Sequence, residues 1–323
     1  MRTHQILGIN FFGGTSREAV EEISHSGGLL VAPAAPSMIA LCHDEDYRNA
    51  LLSSDLAIAD SGFMVLLWKF FTGQTVPRIS GLEHVKRLLE HESVREPGAV
   101  LWVVATETSR ARLDEFLSGE RTRPRVLVDA PRVHELPPQA AGTETPTTKG
   151  DRKNSQGVPP RELSPEIQKP ETAATDEEKS PQPRGASAGT RGRVRSPEIY
   201  VAPKYGRPVE DGALLTLVRQ MRPRHIVIAV GGGIQDKLGR YILDRLDYRP
   251  AVHCIGAALG FLTGDQVRIP DWADKYYVGW LFRSIAQPRV FIPRFWSARR
   301  LPWLIFQWRE KLPPLEKAEK LKS

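Results

Sequence analysis

The chain is poor in cysteine, with only Cys42 and Cys254 among its 323 residues. Two cysteines are too few for a disulfide framework, and they lack the paired spacing of a structural zinc site. The cysteine usage therefore excludes a disulfide-stapled scaffold and favours folding in a reducing compartment.

Long apolar segments are also missing. The sequence has no window of about 18 uncharged apolar residues, the length that a membrane-spanning helix needs. The N-terminus, MRTHQILGINFFGG, lacks the basic, apolar and small-residue order of a signal peptide. We therefore predict a cytoplasmic protein that neither spans a membrane nor is secreted. Its formal charge of +7 suggests an anionic partner.

Aromatic residues are absent between Pro131 and Pro197, where eleven of the 26 prolines lie. A polar, proline-rich composition of this kind cannot bury enough apolar surface to offset the entropy lost on ordering. We therefore predict a disordered low-complexity insertion. The expected organisation is one α/β domain formed by residues 1–130 and 199–265, the insertion over 131–198, and a C-terminal appendage over 266–323.

Short apolar runs alternate with amphipathic stretches on both sides of this insertion. Bare apolar runs are typical of parallel strands that helices cover on both faces. The predicted fold class is α/β, a Rossmann-like, doubly wound, mainly parallel sheet. The expected strands are 28–32, 56–59, 100–105, 126–128, 225–230 and 251–256, and the expected helices are 16–26, 38–53, 63–71, 82–91, 109–117, 211–221 and 235–246.

Basic and aromatic residues are interleaved over 275–309, which holds seven Lys or Arg and no acidic residue. This composition is typical of an interfacial helix, whose cations face anionic head groups while its rings lie at the acyl boundary. We expect the stretch to dock on a membrane surface. An appendage packed on its own domain is the alternative. Nucleic-acid binding is a third, but no nucleic-acid motif accompanies the stretch, and we predict no such partner.

Asp60 is the first candidate for chemistry. It follows an apolar strand and precedes an apolar helix, with Ser61 and Gly62 at the helix entry. Ligands of doubly wound sheets bind at the carboxyl ends of strands, where a carboxylate can act as a general base. The same spacing also suits a helix N-cap, so both roles remain open.

Arg78 and a glycine-rich turn are candidates for anion binding. Arg78 lies in the loop VPRISG before a helix, where its guanidinium could hold a phosphate, although a solvated surface arginine fits equally. The turn Gly231, Gly232 and Gly233 follows the strand HIVIAV, and Gly256 ends the next strand. Glycines at strand ends let backbone approach a ligand closely. The lysine and hydroxyl of a Walker loop are absent.

Motifs of metal hydrolases and serine hydrolases are missing. The eight histidines form no HxxxH or HExxH pair, and no GxSxG elbow occurs. We therefore expect no metal ligands.

Taken together, these segments resemble the WecG/TagA/CpsF family of bacterial glycosyltransferases. The resemblance runs from ILGIN through VAPAAPSMIALCHDEDYRNALLSSDLAIADSGF and PRISG to VGGGIQD and IGAALGFLTG. Its most specific segment is IPDWADKYYVGWLFRSIAQPRVF, in which the prolines, tryptophans and an arginine have the family's spacing. Those positions are Pro270, Trp272, Trp280, Arg283 and Pro288.

The resemblance implies an inverting, metal-independent hexosyltransferase without a cofactor. It would move an N-acetylaminosugar from a UDP-sugar to a polyprenyl diphosphate-linked sugar in surface polysaccharide or exopolysaccharide synthesis. The protein would act peripherally at the inner face of the plasma membrane, with a homo-oligomer possible. Asp60 would be the catalytic base. The donor would be bound by Arg78, Gln235, Gly231, Gly232, Gly233 and Gly256, and the acceptor diphosphate by Arg283, Arg289 and Arg294.

The chain also departs from the family pattern. Ala32 and Ala34 replace two polar residues beside the expected base, and Gly260 replaces an aspartate. Glu107 stands where a glycine is typical, and Asp236 shortens a glutamate. Losing one oriented donor typically costs about 10²–10³ in rate. The alternative is therefore a non-catalytic member that binds a partner or a lipid-linked sugar in a polysaccharide assembly complex.

Overall fold

A computed structural model describes residues 2–119, 197–256, 258–264 and 298–316, together with the single positions 281, 285, 289 and 296. The expected strand 126–128 and residues 131–196 of the expected insertion lie outside the described residues. The strands are β1 Thr3–Ile6, β2 Ile9–Phe12, β3 Gly28–Val31, β4 Leu56–Ala57, β5 Val100–Val104, β6 Glu198–Val201, β7 His225–Ala229 and β8 Ala251–Cys254.

These strands form one eight-stranded sheet in the order β1-β2-β4-β3-β8-β7-β5-β6. Only the β1–β2 pair is antiparallel, and every other neighbouring pair is parallel. Strands from before and after the undescribed segment alternate in the sheet, because β8 pairs with β3 and β5 pairs with both β6 and β7. The predicted α/β class with a mainly parallel, Rossmann-like sheet is confirmed.

Helices cover both faces of the sheet. They are α1 Ser16–Ser26, α2 Ala35–Met38, α3 Glu45–Leu52, α4 Gly62–Thr72, α5 Gly81–Glu90, α6 Glu107–Leu117, α7 Gly212–Met221, α8 Ile234–Leu243, α9 Ala258–Thr263 and α10 Leu301–Trp308. Along β7, Ile226 and Ile228 join one core cluster, whereas Val227 joins the other. This period of two is the reason that the strands read as uninterrupted apolar runs. One cluster lies under α1, α5, α6 and α9, and the other under the remaining helices.

Capping side chains explain where several helices begin. Thr15 and Glu18 form a reciprocal capping box at α1, and Ser61, Ser80 and Asp211 each accept a hydrogen bond from the third helical amide. These groups satisfy backbone donors that a helix start otherwise leaves unpaired. The expected helix 16–26 is confirmed at its full extent.

The expected single helix over 38–53 is wrong. The structure divides it into α2, a 3₁₀ turn over Ile39–Cys42 and α3. The break comes at Asp44, whose side chain accepts a hydrogen bond from the Tyr47 amide and so starts a new helix. An aspartate favours this capping geometry over a helix interior because its carboxylate competes for backbone amides.

The N-terminal hairpin was not expected from the sequence. Its two-residue turn places Leu7 and Gly8 in the left-handed region, at φ 50° and 82°. The amides of both residues donate to the carbonyls of Arg309 and Glu310, just after α10. The C-terminal end of the described chain thus packs on this hairpin, and Leu301 is buried in the core.

Candidate functional site

Asp60 lies three residues after the end of β4, at the carboxyl edge of the sheet. It is not the N-cap of the next helix, because Ser61 takes that role by accepting a hydrogen bond from the Met64 amide. Instead, Asp60 Oδ1 accepts a 2.9 Å hydrogen bond from the Gly81 amide, the first residue of α5. The other carboxylate oxygen accepts no hydrogen bond from the residues that the structure describes. One oxygen is therefore anchored while the other is available for a proton.

Arg78 contacts the same loop. Its Nε donates a 3.0 Å hydrogen bond to the main-chain carbonyl of Asp60. The two residues are 18 positions apart in the sequence, and the half-buried loop before α5 brings them together. A carboxylate and a guanidinium thus adjoin at one strand end, an arrangement suited to proton abstraction beside an anionic leaving group.

The glycine turn after β7 has the backbone conformation that its composition predicts. Gly231 and Gly233 have φ angles of 114° and 82°, which favour glycine. A Cβ at Gly232 would lie 2.8 Å from the Ser37 hydroxyl. The turn therefore packs closely against α2, the short helix that follows β3.

Part of the expected anion site at this turn is occupied by the protein itself. Asp236 Oδ2 accepts a 3.1 Å hydrogen bond from the Gly233 amide, and the Gln235 amide donates to the Gly231 carbonyl. The shorter aspartate thus still closes a capping interaction at the start of α8. These two amides are therefore not available to a phosphate.

Gln235 is buried at the start of α8, and its side-chain Oε1 has no hydrogen-bond partner among the described residues. Its Nε2 would lie 3.6 Å from a Cβ placed on Gly256, whose φ is 62°. The carbonyl of Gln235 accepts a hydrogen bond from Cys254 Sγ, which fixes the helix start against β8. A buried amide oxygen without a partner is costly, so Gln235 Oε1 is a candidate to accept a hydrogen bond from a ligand.

Two further buried polar groups lie beside the glycine turn. Burial raises the pKa of Asp236 to about 7, although a hydrogen bond from Gly233 opposes the shift. Burial, with the nearby Asp236 carboxyl, raises the pKa of Tyr47 well above its usual value. Sequence reasoning missed Tyr47 because its helix lies far from the turn in the chain. The only local signal is a tyrosine on the apolar face of α3, and that signal is weak.

The loops that follow strands β4, β3, β8 and β7 form one surface. A Cβ on Gly81 would lie 3.0 Å from Ala258 Cβ and 3.1 Å from the Ile255 carbonyl, so α5 begins directly against the turn after β8. The strands β4, β3, β8 and β7 are consecutive neighbours and parallel, so their carboxyl ends share one edge. The structure thus brings together Asp60, Arg78, Gln235, Gly231, Gly232, Gly233 and Gly256.

The arginines expected to bind the acceptor are only partly described. Arg289 is an exposed helical residue, whereas Arg283 and Arg294 lie outside the described residues. Of the departures from the family pattern, Glu107 is exposed at the start of α6 and pairs with Arg110 at 3.2 Å. Ala32 is buried and donates its amide to the Cys254 carbonyl.

A cleft lined by Gly8, Asn10 and Asp55 lies beside the start of β4, at the opposite edge of the sheet. Within the described ranges, no group of three or more His, Cys, Asp or Glu residues is arranged to hold a metal ion. No helix in those ranges has the length and apolarity needed to cross a bilayer.

Comparison with known proteins connects this geometry to a family. The model of the glycosyl transferase WecG/TagA/CpsF family matches residues 4–128 and 185–316, more than half of the chain. These ranges include the loops that carry Asp60, Arg78, Gln235 and the glycine turn. No curated protein matches the sequence. The chain therefore belongs to the WecG/TagA/CpsF family of glycosyltransferases, which act in surface polysaccharide synthesis with a sugar-nucleotide donor and a lipid-linked acceptor.

Proposed function

We propose that the protein is an inverting, metal-independent transferase that moves an N-acetylaminosugar from a UDP-sugar to a polyprenyl diphosphate-linked sugar. The observation that carries this proposal is the environment of Asp60. One of its carboxylate oxygens is held by the Gly81 amide, and the guanidinium of Arg78 is bonded to its main chain. A fixed carboxylate beside a cation is what a single-displacement transfer requires.

In this reaction Asp60 takes the proton from the acceptor hydroxyl. The acceptor oxygen then forms a bond to the anomeric carbon of the donor sugar, while the bond from that carbon to the diphosphate oxygen of UDP breaks. The electron pair of the broken bond leaves with UDP. Displacement from the opposite side inverts the configuration at the anomeric carbon.

Side chains around the glycine turn would hold the donor. Arg78 offsets the charge that develops on the departing diphosphate, because a guanidinium donates in a planar fork that matches phosphate oxygens. Gln235 offers an amide whose oxygen lacks a partner among the described residues. Gly231, Gly232, Gly233 and Gly256 leave room for backbone to approach the nucleotide.

Two helices support docking at a membrane. These helices carry exposed apolar side chains, Leu66 and Phe70 on α4 and Trp303 and Phe306 on α10. The ring of Phe71 connects the two helices, since its centroid lies 5.6 Å from that of Phe306. Phe70 is 80% exposed, an unusual position for a phenylalanine unless a partner covers it.

One of these two helices, α4, begins beside Asp60. An α-helix rises about 1.5 Å per residue, which separates Phe70 from the helix start by about 12 Å. A surface at that spacing would keep the site near lipid head groups. The acceptor diphosphate would then meet Arg289 and, in the undescribed stretch, Arg283 and Arg294.

The test of catalysis is release of UDP from a panel of UDP-N-acetylhexosamines, with a short-chain lipid diphosphate sugar as acceptor. We expect acceptor-dependent release that falls about 10²–10⁴-fold in Asp60→Asn, the usual contribution of a general base. Asp244→Asn removes an exposed carboxylate at the end of α8 and is the matched control, with release unchanged. If wild type and Asp60→Asn are equally inert while calorimetry detects binding of UDP or lipid, the protein is a binding member of the family.

The test of membrane docking is co-sedimentation with vesicles that contain anionic lipid. Phe70→Ser combined with Phe306→Ser should reduce the bound fraction strongly, because burying each ring contributes about 1.5–3 kcal/mol. Leu52→Ser changes an exposed apolar residue on α3 and serves as the control. Equal pelleting of the double variant and the control would contradict the assignment of this surface.

A further inference from the structure

A chain of hydrogen-bonded side chains runs through the layer between the sheet and helix α5. His84 Nε2 lies 3.0 Å from His253 Nδ1, and His253 Nε2 lies 3.2 Å from His225 Nδ1. The chain continues from His225 Nε2 to Ser93 Oγ at 2.7 Å and from Ser93 Oγ to His91 Nδ1 at 2.6 Å. His84, His225 and His253 are completely buried. The final contact, 3.1 Å from His91 Nε2 to Glu21 Oε2, lies at the surface.

The surface end of the chain determines which atoms donate. His91 Nδ1 accepts from the Ser93 amide, so the proton of that ring is on Nε2 and points to the Glu21 carboxylate. The Ser93 hydroxyl then donates to His91 Nδ1 and accepts from His225 Nε2. Because His225 carries its proton on Nε2, its Nδ1 accepts from His253 Nε2–H. His253 Nδ1 is then unprotonated and accepts from His84 Nε2–H.

This series of hydrogen bonds fixes helix α5 to β8, a strand whose carboxyl end contributes to the candidate site. Burial of apolar side chains such as Val85 is not directional, whereas the bond from His84 to His253 is satisfied in one register of α5 on β8. A second contact lies one turn earlier, where Gly81 packs against the Ile255 carbonyl. The amide of this same residue, Gly81, donates to Asp60 Oδ1.

We propose that His84 is a positioning residue for Asp60: its hydrogen bond to His253 sets the register of α5 and so holds the Gly81 amide on the Asp60 carboxylate. The proposal rests on the proposed function only for its effect on transfer, because the geometric effect on Gly81 is separate from turnover.

The experiment compares His84→Gln with His84→Asn in the full-length protein. The Gln amide nitrogen can take the place of Nε2 and donate to His253, whereas the Asn side chain is one methylene shorter and cannot reach. With the protein labelled with ¹⁵N-glycine, we expect the Gly81 amide to exchange about tenfold faster in His84→Asn and within about twofold of wild type in His84→Gln. Gly239, inside α8 in the other helix layer, is the reference amide and should not change.

A general loss of stability would accelerate Gly239 and Gly81 together, and that result would overturn the proposal, as would equal protection of Gly81 in all three proteins. In the transfer assay, kcat should fall in His84→Asn and be restored in His84→Gln, with KM for the donor unchanged. Absence of transfer in every protein would contradict the proposed function and leave the exchange result to decide the positioning role.

A measurement on the wild type covers the case in which His84→Asn does not fold. Nitrogen-15 shifts of the histidine rings report which nitrogen is protonated. The Nε2–H form of His84 is expected, and the Nδ1–H form would overturn the proposal because His84 could not then donate to His253.

Discussion

Acidification from pH 7 to pH 5 should destabilise the fold through its buried imidazoles. Burial, with the neighbouring His225, lowers the pKa of His84 to about 4. Burial, with Arg224 and His91, lowers the pKa of His225 to about 4 as well. Burial and the two other imidazoles lower the pKa of His253 well below its ordinary value. All three rings are therefore neutral in the folded state near neutral pH.

Acidification protonates the histidines of the unfolded state before those of the folded state. An unfolded chain binds a proton at each histidine once the pH falls below about 6.5, whereas in the folded chain His84 and His225 do not bind it until about pH 4, and the pKa of His253 is also well below its ordinary value. The folded state thus loses stability as the pH falls through this window, and it loses no more below it. From 6.5 to 5 is 1.5 pH units, so His84 and His225 each cost about 2 kcal/mol by pH 5.

The assay is urea unfolding of wild type and His84→Gln at pH 7 and pH 5. His84→Gln removes one titrating group while retaining a donor toward His253. Its free energy of unfolding should therefore fall by about 2 kcal/mol less than that of wild type between the two pH values. His25→Gln, on the exposed face of α1, is the matched control and should behave as wild type. An equal loss in wild type and His84→Gln would refute the reasoning.

Three further predictions concern packing and buried charge. Gly239→Ala should destabilise the fold by about 1–3 kcal/mol in urea unfolding, because the added methyl would lie 2.8 Å from Cys254 Sγ. Asp44→Asn should cost about 3 kcal/mol by the same assay, since it leaves the ammonium of Lys237, 2.9 Å away and largely buried, without its partner; an unchanged midpoint would contradict this. Asp211→Ala removes the acceptor of two tyrosine hydroxyls and the cap of α7, and should lower the melting temperature by several degrees, whereas a melting temperature equal to wild type would show that the cap contributes nothing.

The fold class could be predicted from the sequence because burial on both faces leaves a direct pattern. The run VLWVV, for example, is β5, with residues alternating between the two core clusters. The hairpin β1–β2 could not be predicted in the same way. Its turn uses Leu7 in a left-handed conformation, and the support for that turn comes from the carbonyls of Arg309 and Glu310, about 300 residues away.

The candidate site could be predicted in part. Asp60, Gln235 and the glycines follow apolar runs, and parallel strands bring such ends to one edge, whereas Arg78 lies in the loop before α5. The pattern did not indicate that Asp60 bonds to the Gly81 amide, because either role for the carboxylate suits the same spacing. Nor did it indicate that Asp236 would occupy the Gly233 amide expected to bind a phosphate.

The sequence by itself determined the α/β class, most of the strands and helices, the strand-end location of the site and the family. All of these depend on residues that are near in the chain or on motifs of fixed spacing. Only the tertiary structure decided which residues meet across the layers. His84, His225 and His253 carry no motif, and their separations of 169 and 28 positions give no local signal. They form a chain because α5 contacts β8 through His84 and the turn after α5 contacts β7 through Ser93, and because buried imidazoles must find partners where water is excluded.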